Sequence, residues 1–192
     1  MNSFKRIAIT VMALLITSVG FAQKKTRSFT VNRVIQAPID QVWKHVAEDF
    51  AGIAKAHPGL TSSHLDTGSV ATGEGCTRVC YLDDKQKKYT KEVMSNVNAS
   101  DYSFDAIIFA VAGLPLDETV SKGNYKLVKL SDNSCEIRFT MTFRTKPAFM
   151  GALAKGKFKS QLSDYLLAVD HYVTTGEEVH RTNFLKVKAQ YE

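Results

Sequence analysis

Glu92 is the side chain in this 192-residue sequence best placed to do chemistry. The stretch from Thr90 to Asn96 alternates like a β-strand, so Glu92 shares one face with Thr90, Met94 and Asn96. If that face borders an apolar cavity, the charged carboxylate is disfavoured there. Glu92 could then orient a ligand hydroxyl, or act as a general acid/base with a hydroxyl such as Tyr125 or Tyr102. The other reading is an ion pair with Arg78 or a lysine, or a place at a wet rim.

Little else assembles a reaction centre. His57 and His64 are seven apart across Pro58-Gly59, without the ligand spacing of a zinc site. His45 and His171 fall on the first and last helices, where surface or rim positions are expected, and His180 lies in the tail. No Gly-x-Ser-x-Gly, P-loop or dinucleotide glycine pattern occurs, so no metal or cofactor is expected and a hydrolase is disfavoured. Cys76 and Cys80 are four apart on one strand, roughly 13 Å in extended chain, beyond disulfide reach. Either could bridge Cys135 only across close strands. The expectation is buried, reduced thiols acting as small hydrophobes.

Several elements must position these groups. Thr30 to Ile35 reads as a strand stopping at Ala37-Pro38, and Pro38 suits the start of a helix. That helix carries Ile39, Val42, Trp43 and Val46 on one face. A second short helical segment, 47–56, ends at His57-Pro58-Gly59. An antiparallel meander follows: a short strand within 60–72, then strands at 76–82, 88–97, 102–110, 119–130 and 135–144. The last alternates most sharply, with Cys135, Ile137, Phe139, Met141 and Phe143 on one side and polar residues on the other, which marks a sheet with one covered face. Neighbouring strands put Thr119, Ser121, Gly123 and Tyr125, and Tyr102, Phe104, Ala106 and Ile108, on the same inner side. A long helix opens at Pro147 and runs to about Thr175, with the stripe Phe158, Leu162, Tyr165, Val169 and Tyr172. The loop 111–118, with Gly113-Leu114-Pro115, is placed near a cavity mouth.

The N-terminus reads as an export signal. Lys5 and Arg6 precede the apolar run Ile7–Val19, too short to span a bilayer comfortably. Gly20 and Ala22 predict cleavage after Ala22 and a periplasmic or secreted mature chain 23–192. The alternative is an uncleaved anchor. The mature chain would hold 23 basic against 19 acidic residues, net +4, too mild to argue for nucleic acid. Lys85, Lys87, Lys88 and Lys91 form a local cluster, read as a solvated hairpin tip, with an anionic surface or ligand as the minority reading.

The order of elements is similar to the helix-grip fold of the START-like (SRPBCC, Bet v 1-like) superfamily. Arg33-Val-Ile-Gln-Ala-Pro38 with Val42-Trp43, then Gly75-Cys-Thr-Arg78, Leu82-Asp-Asp84 and Glu92, resembles its bacterial polyketide cyclase/dehydrase and lipid-transport branch. The resemblance covers about residues 28–175. It implies an α+β fold: a curved seven-stranded antiparallel sheet wrapped around a long C-terminal helix, with two short helices after the first strand. Domains are then 1–22 signal peptide, 23–176 ligand-binding domain and 177–192 a C-terminal tail or small extra element. It also implies an apolar cavity between sheet and helix, with Glu92 facing it. The expected ligand-binding residues are Glu92, Met94, Tyr102, Phe104, Ile108, Tyr125, Phe139, Met141, Phe143, Phe158, Leu162, Tyr165, Leu166 and Val169. The expected function is a non-catalytic exported binder of a lipid, isoprenoid or aromatic metabolite, with transient membrane contact a possible accompaniment. A cyclase- or dehydratase-like enzyme using Glu92, and an interaction module with a filled core, are the alternatives.

Overall fold

The computed structural model describes residues 26–192. The expected signal segment lies outside the described residues. β1 (Arg27–Ile35) leads through Pro38 into α1 (Ile39–Trp43). Pro38 takes the capping position, one residue ahead of the helix, and its carbonyl accepts from Gln41 N at 3.0 Å. The helix then widens into a π-helical turn (Lys44–Glu48) and breaks at Asp49 before a 3-10 turn (Phe50–Lys55). The second helix expected over 47–56 is therefore two irregular turns. They bury Val46, Ala47, Phe50 and Ile53 together.

The strands β2 (Ser62–Leu65), β3 (Thr77–Tyr81), β4 (Tyr89–Asn98), β5 (Ser103–Ala112), β6 (Lys122–Ser131) and β7 (Ser134–Phe143) join β1 in one antiparallel sheet. Its order is β1-β7-β6-β5-β4-β3-β2. A meander pairs sequential strands, and β1 closes the far side against β7 over its whole length. β6 starts three residues later than the sequence suggests. The Asp117 carboxylate accepts from both the backbone N–H and the hydroxyl of Thr119, holding that residue in a turn.

α2 (Gly151–Thr175) crosses the inner face of the sheet, and only its C-terminal half is gripped. Tyr165, Leu166, Val169 and Val173 are buried, whereas most of 152–163 is exposed, with Phe158 and Leu162 partly covered. Two polar ties hold the gripped half. Arg33 Nε meets Asp170 at 2.6 Å, and Gln41 donates to the Val173 carbonyl at 2.7 Å.

The residues after the Gly176 cap form the small extra element, one of the two forms expected of them. Val179 N donates to the Lys55 carbonyl at 2.8 Å, and α3 (Phe184–Lys188) buries Phe184 and Val187 against Leu167 and Ala168. His171 is buried beneath this segment, between Glu177 and Tyr191, and His45 is buried beside Tyr172. The expected surface or rim positions for these two histidines are thus corrected: the turns of α1 and the tail fold over them. Cys76, Cys80 and Cys135 are all buried free thiols.

Gly123 on β6 is a close approach, because an added Cβ would lie 2.4 Å from Phe139 Cζ. Phe139 is in turn wedged edge-on against Tyr125 and Tyr165. Gly123→Ala is expected to cost about 1–3 kcal/mol through overpacking, read as a lower urea midpoint with an unchanged slope.

Candidate functional site

The exposed half of α2 does not pack on the sheet because a cavity of about 830 Å³ lies beneath it. Its walls are mostly apolar: Ile53 and Leu60 from the turns after α1, Ile108 and Met141 from the sheet, and Phe158 and Leu162 from α2. Leu114 and Pro115 of the β5–β6 loop border its mouth, as the sequence places them.

The inner end is polar. Arg78 and Glu92 are directly opposite on β3 and β4, so both point into the cavity. Arg78 is 2% exposed. Its Nε and Nη2 reach Glu92 Oε2 at 2.9 and 2.6 Å, and its Nη1 donates to the Phe50 carbonyl at 2.7 Å. The guanidinium also lies 3.8 Å over the Phe50 ring. Thr90 donates to the other Glu92 oxygen at 3.0 Å. Burial is the largest effect and opposes the charge on Arg78, but Glu92, with smaller contributions from Cys80, Tyr125 and Tyr165, more than offsets it and holds the guanidinium above its ordinary range. Both oxygens of Glu92 are therefore engaged by protein donors. The ion-pair reading of Glu92 is the one the structure contains.

Beside this pair, the Tyr125 and Tyr165 hydroxyls meet at 3.2 Å. Burial pushes both up from the usual phenol range, which keeps them neutral. His57 stacks on Tyr165 with centroids 4.8 Å apart. Its Nδ1 accepts from Gly59 N at 3.0 Å, which leaves the proton on Nε2. That atom has no hydrogen-bond partner among the described residues, and His57 borders the cavity. Burial, and then the Arg78 charge, lower His57 to about 4, so the ring is neutral near pH 7. Burial pushes the nearby Cys80 thiol up to about 12, which makes it a poor nucleophile. The arrangement offers a closed ion pair, a tyrosine hydroxyl pair and one free imidazole N–H to whatever fills the cavity. Among the described residues, no group of His, Cys, Asp and Glu is arranged to hold a metal ion.

Of the residues singled out from the sequence, Glu92, Ile108, Tyr125, Phe139, Met141, Phe158, Leu162 and Tyr165 border the cavity. Six lie elsewhere. Met94, Phe104, Phe143, Leu166 and Val169 fill the core, with Phe104 stacked flat on Tyr125 at 4.5 Å and Phe143 edge-on to Phe158. Tyr102 precedes β5 in a left-handed conformation, gives its hydroxyl to Asp40 and packs on Trp43. A bulge over 95–98 turns Asn96 to the outer face, where it bonds Asp105. Thr90 borders the cavity on the face it shares with Glu92, whereas the sequence pattern does not single out His57, Arg78 or Cys80 as cavity residues. The Arg78–Glu92 register was available only as one of several pairings, and nothing local marks His57.

The polyketide cyclase / dehydrase and lipid transport family matches residues 26–168. The chain belongs to that family. No curated protein matches it. Among solved structures, Ara h 8.0201 is similar at TM-score 0.62 and 19% identity, covering 79% of this chain and 99% of that one. Norcoclaurine synthase from Thalictrum flavum, solved with dopamine and hydroxybenzaldehyde, gives 0.57 and 16% over 81% and 90%. A protein from Thermus thermophilus gives 0.63 and 12% over 78% and 99%. At these identities the likeness establishes the shared helix-grip fold. The segment past Gly176 lies beyond the family match.

Breaking the buried pair one-sidedly leaves an uncompensated charge. Arg78→Met is expected to lose about 3–5 kcal/mol, and adding Glu92→Met to recover most of it, as read by urea unfolding. A double variant no more stable than Arg78→Met would show that the two charges are not coupled. The histidines add a pH dependence. His45, like His57, is lowered to about 4, chiefly by burial, and its Nε2 is buried without a partner. Both bind fewer protons folded than unfolded. Their contribution is complete above about pH 6.5 and declines as pH falls toward 4, on the order of 1–3 kcal/mol for each. Replacing both with Phe should flatten the stability profile between pH 7 and 4.

Proposed function

We propose that this protein is an exported, non-catalytic carrier or sensor of a hydrophobic small molecule held between the sheet and α2. The cavity of about 830 Å³ carries this reading, since a packed domain of this size has no structural need for it. The ligand class that fits has an apolar body, such as a lipid, isoprenoid or aromatic metabolite. It carries one oxygen able to accept from His57 Nε2–H or to share the Tyr125–Tyr165 hydroxyl pair. Burying roughly 200 Å² of apolar surface would contribute about 5 kcal/mol before association costs, so these few polar groups matter for affinity. A filled-core interaction module fits less well, because the space is open. An acid/base role for Glu92 fits less well too, because Arg78 and Thr90 occupy both its oxygens. The charged start, short apolar run and Ala22 support export.

The test is native mass spectrometry and solvent extraction of protein purified from the exported fraction. A co-purifying apolar molecule is expected, on a chain beginning at Gln23. After extraction, Tyr165→Phe should weaken rebinding about fivefold, and Ile108→Trp, which fills the cavity, should abolish it. An extracted protein that binds neither its own extract nor an apolar fluorescent probe would refute the reading.

A further inference from the structure

The start of α2 shows an unusual surface. Phe149 and Leu153 are 78% and 82% exposed, and Met150 lies beside them. Met150 and Leu153 line the cavity, as Leu114 and Pro115 do, and the exposure of Met150 and Leu153 puts them at its mouth. Cations surround this apolar tip. The sequence has no acidic residue between Glu136 and Asp164, and Lys155, Lys157 and Lys159 are exposed. These three make no ion pair among the described residues. The β3–β4 tip brings Lys87 and Lys88 to the same rim, since an added Cβ at Gly113 would meet Lys88 Cγ at 2.7 Å. The Arg27 side chain also reaches this end of α2, since a Cβ at Gly151 would lie 2.8 Å from its Nε.

We propose that the cavity mouth docks on an anionic lipid bilayer, with Phe149, Met150 and Leu153 entering the headgroup layer and the lysines meeting lipid phosphates. Apolar side chains ringed by lysines are the composition of an interfacial membrane contact. An acidic protein would match the lysines but gives no reason for the apolar tip to sit on the rim of an apolar cavity. On a bilayer, that position lets an apolar ligand pass between lipid and cavity without crossing water. The docking surface draws its purpose from the ligand-binding reading, but its geometry stands apart from it.

The test uses the chain as it accumulates in its host, with intact mass recording whether residues 1–22 remain. The readout is the ratio of binding to vesicles of phosphatidylcholine with roughly one-third phosphatidylglycerol over binding to pure phosphatidylcholine. A large, salt-sensitive ratio is expected. Each lysine near an anionic surface is worth about fivefold, so the charge-reversing triple variant K155E/K157E/K159E should weaken anionic binding at least about 100-fold. Phe149→Trp should shift its emission to the blue on anionic vesicles. A ratio near one, a ratio untouched in the folded triple variant, or an unshifted Phe149→Trp would overturn the proposal. Binding to polyglutamate without the blue shift would overturn it in favour of an acidic protein. Ligand content of the same preparations, measured by extraction, separates failure of docking from failure of the cavity reading.

Discussion

Arg78 holds a full charge in the interior, and the inner end of the domain is arranged around that fact. An unpaired guanidinium at that depth would cost several kcal/mol. The cost is met from three directions: the Glu92 carboxylate across the strand pair, the Phe50 carbonyl from the turns after α1, and the Phe50 ring face. The pair therefore ties β3 and β4 to the turns that roof one side of the cavity. It supplies cohesion at a place where apolar contact is missing because the space is open. With both oxygens of Glu92 engaged, the groups left for a guest are neutral ones: the tyrosine pair and His57.

An open cavity also requires that the rest of the fold hold together without it. The C-terminal half of α2 does this work, through Tyr165, Leu166, Val169 and Val173 in the core and through Asp170 on Arg33. The segment past Gly176 adds a second small cluster behind the helix and latches onto Lys55. Arg181 and Phe184 from this segment reach the cavity wall. The helix is thus clamped at one end and overhangs at the other. The overhanging end carries the exposed Phe149 and Leu153, so cavity and surface patch follow from the same half-gripped helix.

Much of the architecture is legible in local pattern. Alternation in β7 and the 3–4 spacing in α2 report which side of each element is covered, because side-chain direction has a fixed period in strands and helices. That parity reading places Ile108, Tyr125, Phe139 and Met141 correctly along the wall. It fails at Asn96, where a bulge adds a residue and reverses the parity, and at Tyr102, which lies before its strand begins. It also cannot tell cavity wall from core: Phe104 and Phe143 share their faces with Tyr125 and Met141 yet are sealed by ring packing.

The sequence alone determined the succession of strands and helices, the apolar faces, the missing catalytic motifs, and a family resemblance resting on Arg33 to Trp43, Arg78 and Glu92. Tertiary structure decided the rest: that Glu92 is spent on Arg78, that His45 and His171 lie inside, that His57 offers its N–H to the cavity, and that space is left between the sheet and the first half of α2. Local periodicity depends on backbone geometry within a few residues and is written directly in the chain. Pairing, burial and empty volume depend on which distant surfaces meet, and no local pattern carries that information.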